Sequence, residues 1–298
     1  MRPFSLFLTR CRKQRSNRID PVRRDVMDEL THPKVIAQQL ANAREFWLGY
    51  GAEGRRRSGL FMYRSGVADA QLNGVVTFSG GSFKSALEEA ETAFSGLPWL
   101  WWVGPDSRPG VVGGLESHRF SHVGSMPVMA IRLDRVRRPS PTPGLEVNVV
   151  EDAAELAEWV RCWTWAFGLD TDLTAKILRI EAARPESPGR LTRFAARLDG
   201  RIVGTAALYS SQGVAGVYEV STLKEHRGQG IGTRLTAAAL QAGHEQGLSI
   251  GTLQASSLGL RVYERMGFAE VSRYRLFAAR NAEPARKPNA PRSVGPRL

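Results

Sequence analysis

The stretch KEHRGQGIGTRL, residues 224–235, sets three glycines on alternate positions behind an arginine. A strand-like run, GVAGVYEVSTL, precedes it, and Ile231, Leu235, Ala238, Ala239 and Ala242 follow at the spacing of one helix face, with Gly247 as the stop. A chain patterned this way turns from strand to helix through backbone that lets another molecule come close. The free N–H groups and positive dipole end of the new helix then face an anion.

Three phosphate-binding patterns compete for the stretch. A Walker loop needs Gly-Lys-Ser/Thr, and the sequence has no such triplet. The dinucleotide fingerprint would use Gly228 and Gly230 but needs Gly or Ala at 233, where Thr233 stands, and SIGTLQA (249–255) lacks the acidic residue expected at the end of the second strand. The pattern RxxGxG fits, through Arg227, Gly230 and Gly232.

The surrounding pattern is α/β. RRPSPTPG (137–144) reads as a linker between two regions of similar length. After it, LEVNVV is a strand, 152–167 a helix carrying Trp159, Trp163 and Trp165, and 171–183 a second helix that ARPESPG stops. RFAARLDGRIVGTAAL is a hairpin turning at Asp199-Gly200. Gly216 marks a bulge or a close approach in the next strand, Ser256 or Ser257 caps a short helix through Arg265, and FAEVSRYRLFA closes the chain's patterned part.

Residues 145–280 resemble the GNAT superfamily of acyl-CoA-dependent N-acetyltransferases. RxxGxG lies where that family has R/Q-x-x-G-x-G/A, VYERMGF (262–268) matches its later Tyr-x-x-x-Gly-Phe, and the strand SIGTLQA falls between them. The resemblance implies a mixed, largely antiparallel sheet flanked by helices, with acetyl-CoA as co-substrate and no metal. By it, the backbone of Arg227, Gly228, Gln229, Gly230, Ile231 and Gly232, with Thr233, holds the pyrophosphate. Val220, Thr222 and Leu223 pair with the pantetheine arm. Ser256 stands where the family often has Asn. Tyr263 is the acid for the departing thiolate and Glu219 the base for the amine, with a backbone N–H near Val220 or Ser221 as the oxyanion donor. WTWAFGLD is the expected acceptor wall.

Residues 27–136 repeat the element order without the phosphate loop. LESHRFSHV (115–123) aligned on YERMGFAEV (263–271) sets Phe120 on Phe268, Leu115 on Tyr263 and Arg119 on Gly267. The expectation is a degenerate GNAT-like domain in tandem with a catalytic one, shaping the acceptor cleft. Trp99, Trp101, Trp102 and Phe83 fit a buried strand or an interdomain face.

The net charge of +12 would suggest nucleic acid, but +7 lies in residues 1–24 and +3 in 281–298, leaving +2 on the intervening 256 residues. Nucleic acid is therefore not the expected partner. Residues 1–26 and 281–298 have the composition of solvated tails, the first a dispensable extension, as from an upstream start codon. No apolar run reaches membrane-spanning length, and two distant cysteines with scattered histidines suggest neither disulfides nor zinc, so the expected location is cytoplasmic. The expected activity is acetyl transfer from acetyl-CoA to a primary amine of a small molecule or protein. The alternative is a non-catalytic acyl-CoA sensor.

Overall fold

The computed structural model describes residues 21–51, 59–186 and 189–280. Within them, helices α1 (Pro21–Leu30) and α2 (Pro33–Leu48) precede β1 (Leu60–Arg64), β2 (Asn73–Phe78), α3 (Phe83–Ala93), β3 (Leu100–Val103), α4 (Val111–Ser117) and β4 (Phe120–Arg132). The second half runs β5 (Glu146–Val149), α5 (Ala153–Ala166), α6 (Thr171–Ala182), β6 (Leu191–Leu198), β7 (Arg201–Ser211), β8 (Val214–Thr222), α7 (Ile231–Glu245), β9 (Ile250–Gln254), α8 (Leu260–Met266) and β10 (Ala269–Ala279). Residues 137–144 carry no helix or strand. The tails at 1–20 and 281–298 lie outside the described residues, but the tail boundary expected at 26 is moved: residues 21–26 belong to α1, whose Val26 packs beside buried Leu30.

The two halves do not keep separate sheets. All ten strands form one sheet in the order β1-β2-β3-β10-β4-β9-β8-β7-β6-β5. Each half has one parallel pair joined by a helical crossover, β2–β3 through α3 and β8–β9 through α7; the other pairings are antiparallel. The last strands are exchanged. β4, from the first half, pairs with β9 of the second, and β10, from the second, pairs with β3 of the first. β4 and β10 pair with each other from Ala130↔Ala269 to Phe120↔Ala279. Consequently Met129, Ile131 and Leu133 of the first half are buried in the second half's core, with Leu235, Leu240 and Tyr263.

Repetition of the fold explains the internal alignment. α4 and α8 each have seven residues, and each is followed by a left-handed residue, Arg119 (φ 65°) and Gly267 (φ 98°), then a buried phenylalanine. Leu115 fills the place of Tyr263 and is fully buried. Trp101 and Trp102 of β3 are buried, Trp101 in the core under α3 and α4.

The other face of the sheet joins the halves through α2. Phe46 stacks on Tyr218 of β8 with centroids 3.7 Å apart. Asn42 is fully buried; its amide nitrogen lies within hydrogen-bond distance of the carbonyls of Tyr209, Ser211 and Val214, and its Oδ1 accepts from Tyr218 Oη (2.6 Å). Gly216 is small for this reason: a Cβ there would lie 2.1 Å from Asn42 Oδ1. Asn42→Ala should cost ~3 kcal/mol, read from urea unfolding, because several buried acceptors lose their donor at once.

Candidate active site

The glycine loop is built as a cradle. Gly228 and Gly230 take left-handed backbone (φ 80° and 79°), and a Cβ on either would meet nothing within 4 Å. Backbone handedness, not crowding, requires glycine here. No side chain caps α7, and Arg234 is the first to send its N–H to a carbonyl of the helix end, Gly230 O (3.0 Å). The N–H groups of Ile231, Gly232 and Thr233 therefore have no carbonyl one turn back to donate to. The matching helix of the first half is closed: Ser82 Oγ caps α3 at Ser85 N, Arg108 N donates to Phe78 O, and the Arg108 guanidinium donates to Gly81 O. Gly230→Ala should cost ~1–2 kcal/mol of stability through its backbone hand, measured by urea unfolding.

Arg227 braces the loop from an exposed position. Its guanidinium donates to Thr222 O (3.2 Å) and to Ala166 O at the end of α5 (3.0 Å).

Beside the cradle the parallel pair comes apart. β8 and β9 pair only through Val214↔Ile250, Ala215↔Gly251 and Gly216↔Thr252, while β8 runs on to Thr222. A cleft with one unpaired strand edge results. Leu223 N donates to Val203 O (2.9 Å), toward β7, so alternation turns the N–H groups of Thr222 and Val220 to the open side. The same bond corrects the reading of Leu223 as a pantetheine partner: its carbonyl also accepts from His226 N, so both its backbone groups are used within the protein. Ser256 lies at the far lip, where its Oγ accepts from Gly259 N (3.1 Å) and serves as a cap for the turn into α8. Gln254 Nε2, at the end of β9, is enclosed without a partner.

The bulge sits three residues beyond Gly216. Thr205 faces Ser221 and Ala207 faces Tyr218, so Glu219 and Val220 together oppose Ala206, and Glu219 adopts φ 52°. Thr205 Oγ1 holds this shape through Glu219 O (2.8 Å) and Ser221 Oγ (2.7 Å). In a regular strand Tyr218 and Glu219 would point to opposite faces. Here both reach α2 and its end: Tyr218 bonds Asn42, and Tyr50 Oη donates to Glu219 Oε1.

Glu219 is half-buried, and its Oε2 is enclosed without a partner. Burial, and after it the Glu181 carboxylate, push the Glu219 carboxyl up to about 8, against the opposing pull of Arg184, the Tyr50 hydrogen bond and Arg193. Glu181 is itself raised by burial, but Arg184 and Arg193 more than offset this and leave it below the usual carboxylate range. Arg193 Nη2 lies 2.5 Å from Glu181 Oε2, and Arg184 Nη2 2.5 Å from Glu186 Oε1. Arg184 also lies over the Phe46 and Tyr50 rings and donates to Phe46 O, closing the end of α2.

Tyr263 lies apart from this cluster, in the core beneath α7. It is 8% exposed, and burial pushes its phenol up to about 12, opposed by a hydrogen bond with Thr236. No contact joins it to Glu219 in the structure. Trp159 and Trp163 are core residues, with Trp159 Nε1 donating to Phe194 O (3.0 Å), whereas Trp165 is 77% exposed beside the Arg227 brace. Sequence reasoning missed Tyr50, Glu181 and Arg184. Arg184 stands in the helix stop ARPESPG, while nothing local in the sequence marks Tyr50 or Glu181.

Among the described residues no helix is long and apolar enough to cross a membrane, and no cluster of three or more His, Cys, Asp or Glu could hold a metal ion. No curated protein matches the sequence. The fold is similar to that of a GCN5-related N-acetyltransferase from Kribbella flavida, 23% identical over 83% of this chain and 96% of that one, with a TM-score of 0.63. A GCN5-related N-acetyltransferase-like protein from Streptococcus suis, 14% identical, covers 86% of this chain and 99% of its own at a TM-score of 0.53. One from Sphaerobacter thermophilus is 21% identical over 65% of each chain at 0.53. The model of the acetyltransferase (GNAT) family matches residues 153–268, which span α5, the bulge, the cradle and the tyrosine helix. With the open cradle and parted strands inside that span, residues 153–268 are a domain of the GNAT acetyltransferase family.

Proposed function

We propose that the chain transfers an acetyl group from acetyl-CoA to a primary amine of a small molecule or protein. The observation that carries this reading is the parting of β8 from β9 beside an uncapped helix N-terminus, with a carboxylate turned in at the bulge. The residues present suit the co-substrate. The N–H groups from Gly228 to Thr233 would hold its pyrophosphate, the edge at Val220 and Thr222 its pantetheine arm, and the enclosed Gln254 amide is a donor without a partner. When bound, acetyl-CoA supplies an activated thioester.

Glu219 takes the proton of the acceptor ammonium through Oε2, the oxygen that Tyr50 leaves free. The Val220 N–H, released from the ladder by the bulge, stabilises negative charge on the carbonyl oxygen. Tyr263 holds its proton. Raised to about 12, its phenol is a much weaker acid than a thiol at roughly 8.5, so it steadies the departing sulfur by hydrogen bonding and does not transfer its proton outright.

Two assays test the reading. Acetyl-CoA should raise the melting temperature, and a panel of small amines and peptide N-termini should include acceptors that release thiol. No stabilisation well above a micromolar Kd would refute cofactor binding. Stabilisation with every amine inert, and Tyr263→Phe without effect, would make the chain a non-catalytic acyl-CoA sensor.

A further inference from the structure

We propose that Tyr50, supplied by the half that lacks the phosphate cradle, is the positioning residue of the acceptor-activating carboxylate. It holds Glu219 Oε1 and so leaves Oε2 as the oxygen that can take a proton. The proposal rests on the reading of Glu219 as the base.

Four observations support it. Tyr50 is 3% exposed and follows α2, with its ring against Phe46 (5.9 Å) and Trp47 (5.8 Å), so its hydroxyl has a fixed address. That hydroxyl donates to Glu219 Oε1 across 169 residues of sequence. The donor is permanent, because burial first, and then Glu181 and Glu219, raise the phenol well above its ordinary range. Finally, the bulge that turns Glu219 toward α2 leaves Glu219 Oε2 with no partner.

The groups facing Glu219 come from four elements: Tyr50 past α2, Glu181 on α6, Arg184 just beyond α6, and Arg193 on β6. Tyr50 is the one that touches the carboxyl through a hydrogen bond while adding no charge of its own. A hydrogen bond to an ionised carboxylate favours ionisation, so Tyr50 moves Glu219 toward the state in which it can accept a proton. Gly49 makes room for this arrangement: a Cβ there would lie 2.3 Å from Glu186 Oε1 and 2.4 Å from Arg184 Nη2.

The test compares Tyr50→Phe with the full-length wild type, using glutamate labelled at the carboxyl carbon and Glu219→Gln to assign the resonance. With the donor gone, the Glu219 midpoint should move up by about one pH unit. An unmoved midpoint in a folded variant overturns the proposal, since a merely architectural tyrosine would lower melting temperature and leave the titration alone. Should Tyr50→Phe fail to fold, 3-fluorotyrosine introduced throughout keeps every ring and strengthens the donor. The midpoint should then fall, and constancy refutes the proposal.

With an amine from the panel that turns over, Tyr50→Phe should lower kcat about tenfold near neutral pH. It should shift the ascending pH limb upward and spare KM for acetyl-CoA. A shifted titration with an unshifted kcat limb also overturns the catalytic part. If Glu219→Gln retains full activity, the reading of Glu219 as base fails, while the titration still shows whether Tyr50 holds it.

Discussion

Residues 145–280 expressed alone are expected to lose cooperative folding and all acetyl-CoA binding, although they contain every part of the proposed cofactor site. β4 pairs with both β9 and β10, and β3 is the other neighbour of β10, so without the first half the sheet ends at β9 and β10 loses both its partners. The fragment also lacks Met129, Ile131 and Leu133, which are at most 5% exposed in its core. Emptying such positions costs ~2–5 kcal/mol each, and three of them rival the ~5–15 kcal/mol that holds a domain together. Circular dichroism melts and acetyl-CoA thermal shifts on the fragment, alone and co-expressed with residues 21–144, provide the measurement. A fragment that melts cooperatively and responds to acetyl-CoA would show that the exchanged strand is dispensable.

Glu219→Gln should lower kcat by ~10²–10⁴, the usual contribution of a general base. A carboxyl raised to about 8 is mostly protonated at neutral pH, so the wild-type rate should climb through pH 8. The variant should keep only the limb set by the acceptor amine. Stability gives an independent check. Because the folded state raises this group above its ordinary 4.5, its contribution is complete below that value and is lost as pH rises through about 8. Glu219→Gln should therefore melt higher than wild type at pH 9 and about equally at pH 5. Equal melting at both would mean that Glu219 is not held in its neutral form.

The parts legible in the sequence are those in which a local rule decides the backbone. RxxGxG and Tyr-x-x-x-Gly-Phe exposed the cradle and the tyrosine helix, and Asp199-Gly200 announced a turn whose residues both take positive φ (48° and 76°). The exchange of β4 and β10 was not legible, because an alternating strand pairs equally well with either neighbour and nothing local names the partner. Gly216 reads in the sequence as either a bulge or a close approach, because glycine serves both. In the structure Gly216 yields space to Asn42, while Glu219 takes the left-handed conformation, held by Thr205. Tyr50 and Glu219 are linked only in three dimensions, through an α2 packed on the second half's strands. Leu223 shows the limit of transferring a motif residue by residue: it closes the strand that carries the open edge, but its N–H is bonded to Val203 O.

The exchanged strands also impose an order on synthesis. β4 leaves the ribosome with both edges bare, and the strands that cover them, residues 250–254 and 269–279, arrive more than a hundred residues later. At ~5–20 residues per second the nascent first half waits roughly ten seconds with two sticky strand edges unsatisfied. A ribosome-associated chaperone has a defined interval in which to act on this chain, and that interval closes only with the final strand.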